Sequence, residues 1–203
     1  MNHQSTFIIL TFIVLFVSCK QTNEQLLDKA YNLSKQKEYE KAIETYTKVI
    51  RRNAKIQLAY YNRGFAYLAT KKYDRALSDF NKVMALQTHG EFIITYNEDS
   101  PIADEETRTQ VPYNDALYQR AQVKYFMDSL ASSFTDFQKL VDKGYQEKSN
   151  CTLWQGTICV RGGKPDKGCE YFGKAKQFAL TDDDKKEADE MIKTYCGRAN
   201  NNH

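Results

Sequence analysis

Cysteine and histidine are the side chains of this 203-residue chain that could bind a metal ion or take part in catalysis. There are five cysteines and three histidines, and no two cysteines form a Cys-x-x-Cys pair. The histidines are His3, His89 and His203, which are far apart in sequence. A structural zinc site needs four nitrogen or sulfur ligands at close, regular spacings. We therefore expect no metal site.

Sequence motifs of the common enzyme classes are also missing. The chain contains no Gly-rich phosphate loop, no Gly-x-Ser-x-Gly elbow and no His-Glu-x-x-His segment. His89 and His203 lie in a loop and in the C-terminal tail, where nothing holds them for proton transfer. The acidic run at 182–184 suits the start of a helix. We expect no catalytic residue, no cofactor and no small-molecule substrate, so the chain is not predicted to be an enzyme.

The first cysteine follows a leader of the secretory type. Phe7 to Val17 is an apolar run that is too short for a bilayer, which needs roughly 20 residues, but suits a signal peptide. It ends in Phe16-Val17-Ser18-Cys19, which resembles the lipobox of bacterial lipoproteins. The resemblance implies cleavage before Cys19 and attachment of lipid there, and several acyl chains give stable anchoring. The head of the leader departs from the pattern because it lacks Lys and Arg, and an ordinary signal peptide is the alternative.

Two segments of the chain repeat one pattern. They are Tyr39-x-x-Ala42-Ile43-x-x-Tyr46 and Tyr73-x-x-Ala76-Leu77-x-x-Phe80. Each follows a segment of helical spacing, with Ala30 in the first copy and Gly64 in the second, so each copy predicts two amphipathic helices. Small residues allow the two helices to approach closely, and the aromatic ring fills the wider space beyond. One hairpin cannot bury its apolar face alone, so the hairpins are expected to stack.

This order of small and aromatic residues resembles the tetratricopeptide repeat family. The spacing from Tyr39 to Tyr73 equals the length of the family's unit, which is about 34 residues. The resemblance implies an all-α solenoid. In a third copy, Arg120-Ala121 and Asp136-Phe137 match Arg63-Gly64 and Asp79-Phe80 at one constant offset. That offset is one repeat plus an insert, which we assign to residues 87–112.

A fourth, weaker copy and a last helix complete the stack. Gly156 supplies the small residue of the fourth unit and Phe172 its aromatic ring. A capping helix is predicted from Thr181-Asp182 to Cys196-Gly197, because these residues suit the two helix ends. We therefore expect about four hairpins with a C-terminal capping helix. The divisions are a signal peptide at 1–18, a tether at 19–23, units one and two at 24–86, the insert at 87–112, units three and four at 113–180, and the cap and tail at 181–203.

The other four cysteines lie in the fourth unit and the cap. Cys151 and Cys159 are eight residues apart on one predicted helix, about 12 Å along its axis, so they cannot pair with each other. Cys159, Cys169 and Cys196 approach the same end of the stack. We favour a Cys169–Cys196 disulfide that holds the capping helix, with the other two as buried thiols. The alternative is that no disulfide forms.

Recognition of a protein is the function that these features favour. In tetratricopeptide repeats the first helices line a concave groove, and the resemblance assigns one set of residues to it: Tyr31, Tyr61, Asn62, Phe65, Tyr118 and Tyr125. Aromatic rings supply contact area for an extended or helical peptide, although such rings also pack between units. Family members that grip a C-terminal carboxylate use Lys, Arg and Asn, and only Asn62 matches that set here. Leu27, Tyr31, Asp115 and Gln119 occupy the other positions.

The insert is a second candidate for recognition. Residues 91–96 and 106–111 contain β-forming side chains on either side of a turn at 97–101, which predicts a short hairpin. Long insertions in compact folds are usually either functional or disordered, and the sequence does not separate these alternatives.

Charge limits the partners further. The net charge of +3 is too small to indicate nucleic acid recognition. The first unit is locally basic and begins about five residues after Cys19, so it either contacts anionic headgroups or presents a solvated helix face. Lys20 rather than aspartate follows the lipid cysteine, and resemblance to envelope lipoproteins implies the periplasmic face of a bacterial outer membrane, with exposure on the outer face as the alternative. The main hypothesis is a membrane-anchored scaffold for an envelope protein or peptide. The alternatives are a structural subunit of an outer-membrane assembly or transport complex, and a thiol-active or hydrolytic protein.

Overall fold

The computed structural model describes residues 21–87 and 110–197. In these two ranges the chain forms nine α-helices and no strand: α1 (Asn23–Lys35), α2 (Tyr39–Arg52), α3 (Gln57–Ala69), α4 (Tyr73–Ala85), α5 (Tyr113–Phe126), α6 (Leu130–Asp142), α7 (Lys148–Arg161), α8 (Pro165–Phe178) and α9 (Asp182–Tyr195). Consecutive helices pack in pairs, which confirms the all-α solenoid of four hairpins and a capping helix. The leader, Cys19, the hairpin predicted in the insert and the last six residues lie outside the described residues. None of the described helices is long and apolar enough to cross a membrane.

The helices form where apolar residues recur with helical spacing. In α2, Ala42, Tyr46 and Val49 are buried on one face, three or four residues apart. The two ends of the stack carry capping boxes, in which a threonine side chain accepts from the backbone N–H three residues on, and the threonine backbone N–H donates to the side chain of that residue. Thr22 pairs in this way with Gln25, and Thr181 pairs with Asp184, at the helix start expected from the sequence.

Every hairpin turns through a residue in the left-handed region. These residues are Lys37, Lys71, Asp128 and Gly163, with φ of 62°, 57°, 60° and 74°. The residue after each one bonds back into the first helix, as where Lys72 N–H donates to the Tyr67 carbonyl at 2.8 Å. Such turns satisfy carbonyl groups that the end of a helix leaves free. Three of the four units make the turn without glycine.

The core of each unit is one aromatic ring beneath a close helix crossing. The rings are Tyr46, Phe80, Phe137 and Phe172, and all four are fully buried. The crossing is tightest in unit four, where a Cβ on Gly156 would come within 2.4 Å of the Phe172 ring and 3.0 Å of the Gly168 carbonyl oxygen. A larger side chain there would force α7 and α8 apart, which is why small residues mark the repeat.

The solenoid has two long edges. All first helices (α1, α3, α5 and α7) begin, and all second helices (α2, α4, α6 and α8) end, at the edge where the described chain starts. We call this the N-terminal edge. Arg52 lies there and donates through Nη1 to the Gln21 carbonyl at 2.6 Å. The opposite edge carries the four hairpin turns, and we call it the hairpin-turn edge.

Buried ion pairs join the helices of the two middle units. Arg63 donates to both carboxylate oxygens of Asp79 at 2.8 Å. Arg120 does the same to Asp136 at 2.9 and 2.8 Å, and Lys124 adds a third bond to that carboxylate at 2.7 Å. The constant offset that identified the third unit therefore preserves a structural contact.

Each of these arginines also reaches the preceding unit. Arg63 donates to Thr47 at 2.9 Å, and Arg120 donates to Asn81 at 3.2 Å. Thr47 and Asn81 are themselves one repeat apart, in equivalent places on α2 and α4. One guanidinium group thus links three helices, and it fixes the angle at which one unit stacks on the next.

The two ends of the insert lie side by side at the N-terminal edge. Val111 N–H donates to the Gln57 side-chain oxygen at 3.0 Å, and the Gln57 amide group donates to the Leu86 carbonyl at 3.5 Å. The Gln87 amide group donates to the Val111 carbonyl. With the base of the insert closed in this way, α4 packs directly against α5 and the stack continues from unit two to unit three.

The capping helix α9 is held covalently at its C-terminal end. A disulfide joins Cys169 to Cys196 with a Cα–Cα distance of 5.7 Å, which is the pairing that the sequence favours. In the middle of α9 only Ala188 is fully buried, and Lys176 pairs with Asp189 at 2.6 Å. Because α9 buries so little, the covalent bond is the strongest constraint on it.

Candidate binding groove

The first helices of the units form one continuous face. Besides contacting α2, α1 contacts α3, and α7 contacts α9 in the same way. We call this surface the inner face. Its properties depend on which side chains of the first helices are free and which are already engaged by the protein.

Three rings of the inner face are open to solvent. Tyr31 of α1 is 51% exposed, Phe65 of α3 is 37% exposed, and Phe126 of α5 is 43% exposed. They come from three consecutive units. Phe65 and Phe126 have no polar atom in the ring, so their exposure carries an unfavourable contact with water that a bound apolar group would remove. Exposed aromatic residues of this kind are the usual anchors of protein interfaces.

Tyr61 is engaged mainly within the protein. Its ring meets Phe65 edge-on at a centroid distance of 4.9 Å and the buried Phe80 at 5.8 Å. Burial raises the pKa of Tyr61, and nearby Asp115 of the next unit raises it further. Tyr61 thus packs against Phe65 and joins units two and three.

Tyr118 is also a packing residue. Its ring lies against Phe137 at 5.6 Å, and its hydroxyl accepts a hydrogen bond from the indole N–H of Trp154 at 3.1 Å. Burial raises the pKa of Tyr118 to about 12. Trp154 in turn stacks parallel to Phe137 with centroids 5.8 Å apart. These three rings form a rigid wall between units three and four.

Tyr125 lies at the end of that wall, beneath a cation. Its ring meets Trp154 edge-on at 5.2 Å, and the Arg161 guanidinium lies 4.6 Å from its centroid. Arg161 also donates to the Tyr125 carbonyl at 3.1 Å. At the other end of the inner face, the Lys35 ammonium lies 5.4 Å from the Tyr31 ring. A cation thus lies over a tyrosine at both places, and the Arg161 charge is balanced by Asp128 at 3.1 Å.

Asn62 is half-buried, beside the hydroxyl of Tyr46. Burial raises the pKa of Tyr46 to about 12, and the nearby polar side chains of Ser34 and Asn62 oppose that rise. Asp115, one of the clamp positions considered above, accepts from the Tyr145 hydroxyl at 2.8 Å. A carboxylate fixed at this place would repel a C-terminal carboxylate.

The structure thus divides the groove residues expected from the sequence. Tyr31 and Phe65 are exposed, whereas Tyr61, Tyr118 and Tyr125 are partly buried by contacts between or within units. Phe126 and Trp154 were not assigned to the groove, although Phe126 directly follows Tyr125. The helical register offered a signal for Phe126, since it is equivalent to Ala69 and Lys35 in the last turn of the preceding first helices.

The two free cysteines lie away from solvent. Cys151 is fully buried and Cys159 is 8% exposed. Burial raises the pKa of the Cys151 thiol to about 12, and burial also raises that of Cys159. A reactive thiol needs access and a lowered pKa. Both thiols are instead buried and have a raised pKa, which does not fit a thiol-active protein.

Comparison with known proteins supports the repeat assignment. Two family models described as tetratricopeptide repeat match the chain, at residues 26–56 and at residues 57–89. These matches fall on units one and two, where the sequence pattern of the repeat is strictest. No curated protein is significantly similar to the chain.

Solved structures share the fold over most of the chain. YrrB, described as a TPR protein with an unusual peptide-binding site, matches with a TM-score of 0.57 and 16% identity, over 91% of this chain and 83% of its own. TTC0263, a thermophilic TPR protein of Thermus thermophilus, matches with a TM-score of 0.60 and 14% identity, over 87% of this chain and 84% of its own. MamA of Desulfovibrio magneticus RS-1 matches with a TM-score of 0.60 and 15% identity, over 86% of this chain and 93% of its own. At these identities the likeness establishes the solenoid alone, and that fold suggests protein–protein interaction or peptide binding.

Proposed function

We propose that this protein is a membrane-anchored scaffold of the bacterial cell envelope, which binds a segment of a partner protein on its inner face. The observation that carries the proposal is the row of exposed rings, Tyr31, Phe65 and Phe126, on three consecutive first helices. Burying such rings under a partner removes apolar surface from water. The partner is an extended or helical peptide segment with apolar side chains, because a solenoid groove is open along its length.

The inner face is organised before a partner arrives. Tyr61 supports Phe65 at 4.9 Å, and Phe126 is stacked on Tyr73 at 5.8 Å with nearly parallel planes. Side chains that are already fixed lose little conformational entropy on binding. The peptide-binding site for which YrrB is described is consistent with this use of the fold.

Anchoring through Cys19 is the second part of the proposal. It is supported by the apolar leader and the lipobox-like Phe16-Val17-Ser18-Cys19. The start of α1 at Asn23 is four positions after Cys19, a leash of at most about 15 Å, so the inner face would remain close to the membrane. We assign the periplasmic face of the outer membrane because Lys20 follows the lipid cysteine.

Crosslinking in native membranes followed by mass spectrometry tests the proposal. Wild-type protein is compared with Phe65→Ala/Phe126→Ala, and the control is Phe178→Ala/Leu180→Ala, which removes two exposed apolar side chains from the end of the second helix α8 and the link that follows it. We expect the inner-face variant to lose one or more neighbours that the wild type and the control both capture. Equal capture by all three proteins would contradict a groove on the inner face.

A further inference from the structure

A cluster of cations lies where the described chain begins. It comprises Lys48, Arg51, Arg52 and Lys55, from the end of α2 and the loop that follows, and all four are exposed. We call it the cationic cluster. Over the described residues, none of the four forms an ion pair with a carboxylate.

The sequence around the cluster is depleted of negative charge. Residues 45–73 contain no Asp or Glu. Among the described residues, the acidic positions that flank this range in the sequence are Glu44, one turn before Lys48, and Asp74. Basic residues in the last turn of a helix interact favourably with the helix dipole, which accounts for Arg51 and Arg52 but not for Lys55 beyond the helix end.

The cluster and the N-terminal segment are tied together. Arg52 donates to the Gln21 carbonyl at 2.6 Å, which holds the chain at the N-terminal edge two residues after Cys19. The 20 residues before Gln21 include the apolar run Phe7 to Val17. The surface that receives the N-terminal segment or its lipid is therefore next to four cations that form no ion pair within residues 21–87 and 110–197.

We propose that the cationic cluster is a docking surface for the anionic headgroups of a lipid bilayer. The inference rests on the proposed membrane anchoring and adds an orientation to it. Each Lys or Arg near an anionic surface strengthens binding about fivefold, and a lipid chain combined with a polybasic patch anchors more firmly than the chain alone.

The opposite end of the same edge is of mixed charge. Asp182, Asp183 and Asp184 begin α9 there as part of its first turn, and Lys185 and Lys186 follow them. An anionic bilayer therefore attracts unit one more strongly than this end. The solenoid is thus tilted away from the membrane, with unit one near the lipid and the capping helix farthest from it.

Lysine acylation of the full-length protein, read by peptide mass spectrometry, tests the docking surface. Vesicles of phosphatidylcholine alone are compared with vesicles that contain one third phosphatidylglycerol. We expect Lys48 and Lys55 to react at least about threefold more slowly on the anionic vesicles, since headgroup contact excludes the reagent. Lys71 and Lys164 on the hairpin-turn edge serve as internal references and keep their rates. Protection that is equal on both kinds of vesicle, or that is missing from both, overturns the proposal.

Charge variants provide a second test of the docking surface. Arg51→Gln/Arg52→Gln leaves both reporter lysines in place, and we expect it to bind anionic vesicles about 25-fold more weakly than the wild type. The control Lys71→Gln/Lys164→Gln removes the same charge from the hairpin-turn edge and should bind as the wild type does. An equal loss in both variants overturns a specific docking surface.

The Cys19→Ala protein tests the docking surface separately from the anchor, because it lacks the lipid-attachment residue but keeps the cationic cluster. Protection of Lys48 and Lys55 in that protein on anionic vesicles supports the docking surface even when no lipid is attached. Flotation of wild-type protein with vesicles of either composition, without protection of these lysines, overturns the docking surface and leaves the anchor intact.

Discussion

The indole N–H of Trp154 donates a hydrogen bond to the hydroxyl of Tyr118 at 3.1 Å, which joins the first helices of units three and four. Phe137 lies against both rings, parallel to the indole and edge-on to the phenol. The bond therefore lies in a largely apolar environment, where a donor without an acceptor is costly. It makes this part of the inner face a fixed wall that a partner meets already formed.

Tyr118→Phe should lower the free energy of unfolding by about 1 kcal/mol or more, because the indole N–H of Trp154 is left without its acceptor. Tyr113→Phe is the control, since that ring is at the surface and its hydroxyl makes no comparable internal contact in the described residues. Urea denaturation followed by circular dichroism measures both. Equal stability of the two variants would mean that the bond contributes nothing.

The carboxylate of Asp136 is 3% exposed and is shared by Arg120 and Lys124. Asp136→Asn leaves two cations without their counter-ion, so we expect a loss of about 3 kcal/mol in the free energy of unfolding. Asp189→Asn breaks the exposed Lys176 pair and should cost less than about 1 kcal/mol. Chemical denaturation of both variants at the same pH compares them. The ion pairs would not be the fixed joints described here if Asp136→Asn were as stable as Asp189→Asn.

Reduction of the Cys169–Cys196 disulfide should destabilise the capping helix before the rest of the stack. The bond closes a loop with a sequence separation of 27. Loop-closure entropy for that length corresponds to about 3.5 kcal/mol. In Cys169→Ser/Cys196→Ser protein, amide hydrogen exchange should be faster in α9 and little changed in α3 and α4. Unchanged exchange in α9 would indicate that Ala188 and its neighbours suffice to hold it.

Alkaline pH should unfold the protein through buried groups whose pKa is raised. The pKa of Tyr46, Tyr118 and Cys151 is about 12 in the folded protein, against 10.0, 10.0 and 9.0 in the unfolded chain. Below pH 9 these groups are protonated in both states and do not affect stability. As the pH rises from 9 to 12, the unfolded chain releases protons that the folded protein keeps, so the free energy of unfolding falls.

Absorbance of tyrosinate measured together with circular dichroism tests this pH dependence. We expect part of the tyrosine absorbance change to occur only as the helices unfold. The expectation fails if all tyrosines ionise near pH 10 while the helical signal is unchanged.

The sequence predicted the parts of this structure that repeat. The spacing of small and aromatic residues placed Tyr46 and Phe80 in the core, and the constant offset between units two and three aligned Arg120 and Asp136 with Arg63 and Asp79, although it did not predict their ion pairs. Both cases depend on side chains that must be of one type because they are buried. The helix start at Thr181 was predictable for a similar reason, since a capping box needs particular side chains.

The sequence did not predict which rings of the inner face are free. Tyr61 and Phe65 are four residues apart on one face of α3, and only their contacts with Phe80 and with the next unit distinguish the supporting ring from the exposed one. The left-handed turns at Lys37 and Asp128 were also missed, because their residues are not the usual glycine or asparagine. The exposure of these rings depends on tertiary contacts rather than on a local sequence pattern, so it could be seen only in the structure.

Site-specific photocrosslinking at the inner face tests the central claim most directly. A photoreactive phenylalanine analogue is placed at Phe65, at Phe126, or at Ser78 on the exposed side of α4 as a control, and the protein is irradiated in native membranes. We expect the same partner to be captured from positions 65 and 126 and not from position 78. Capture from position 78 alone, or of unrelated proteins from 65 and 126, would contradict a single binding groove on the first helices.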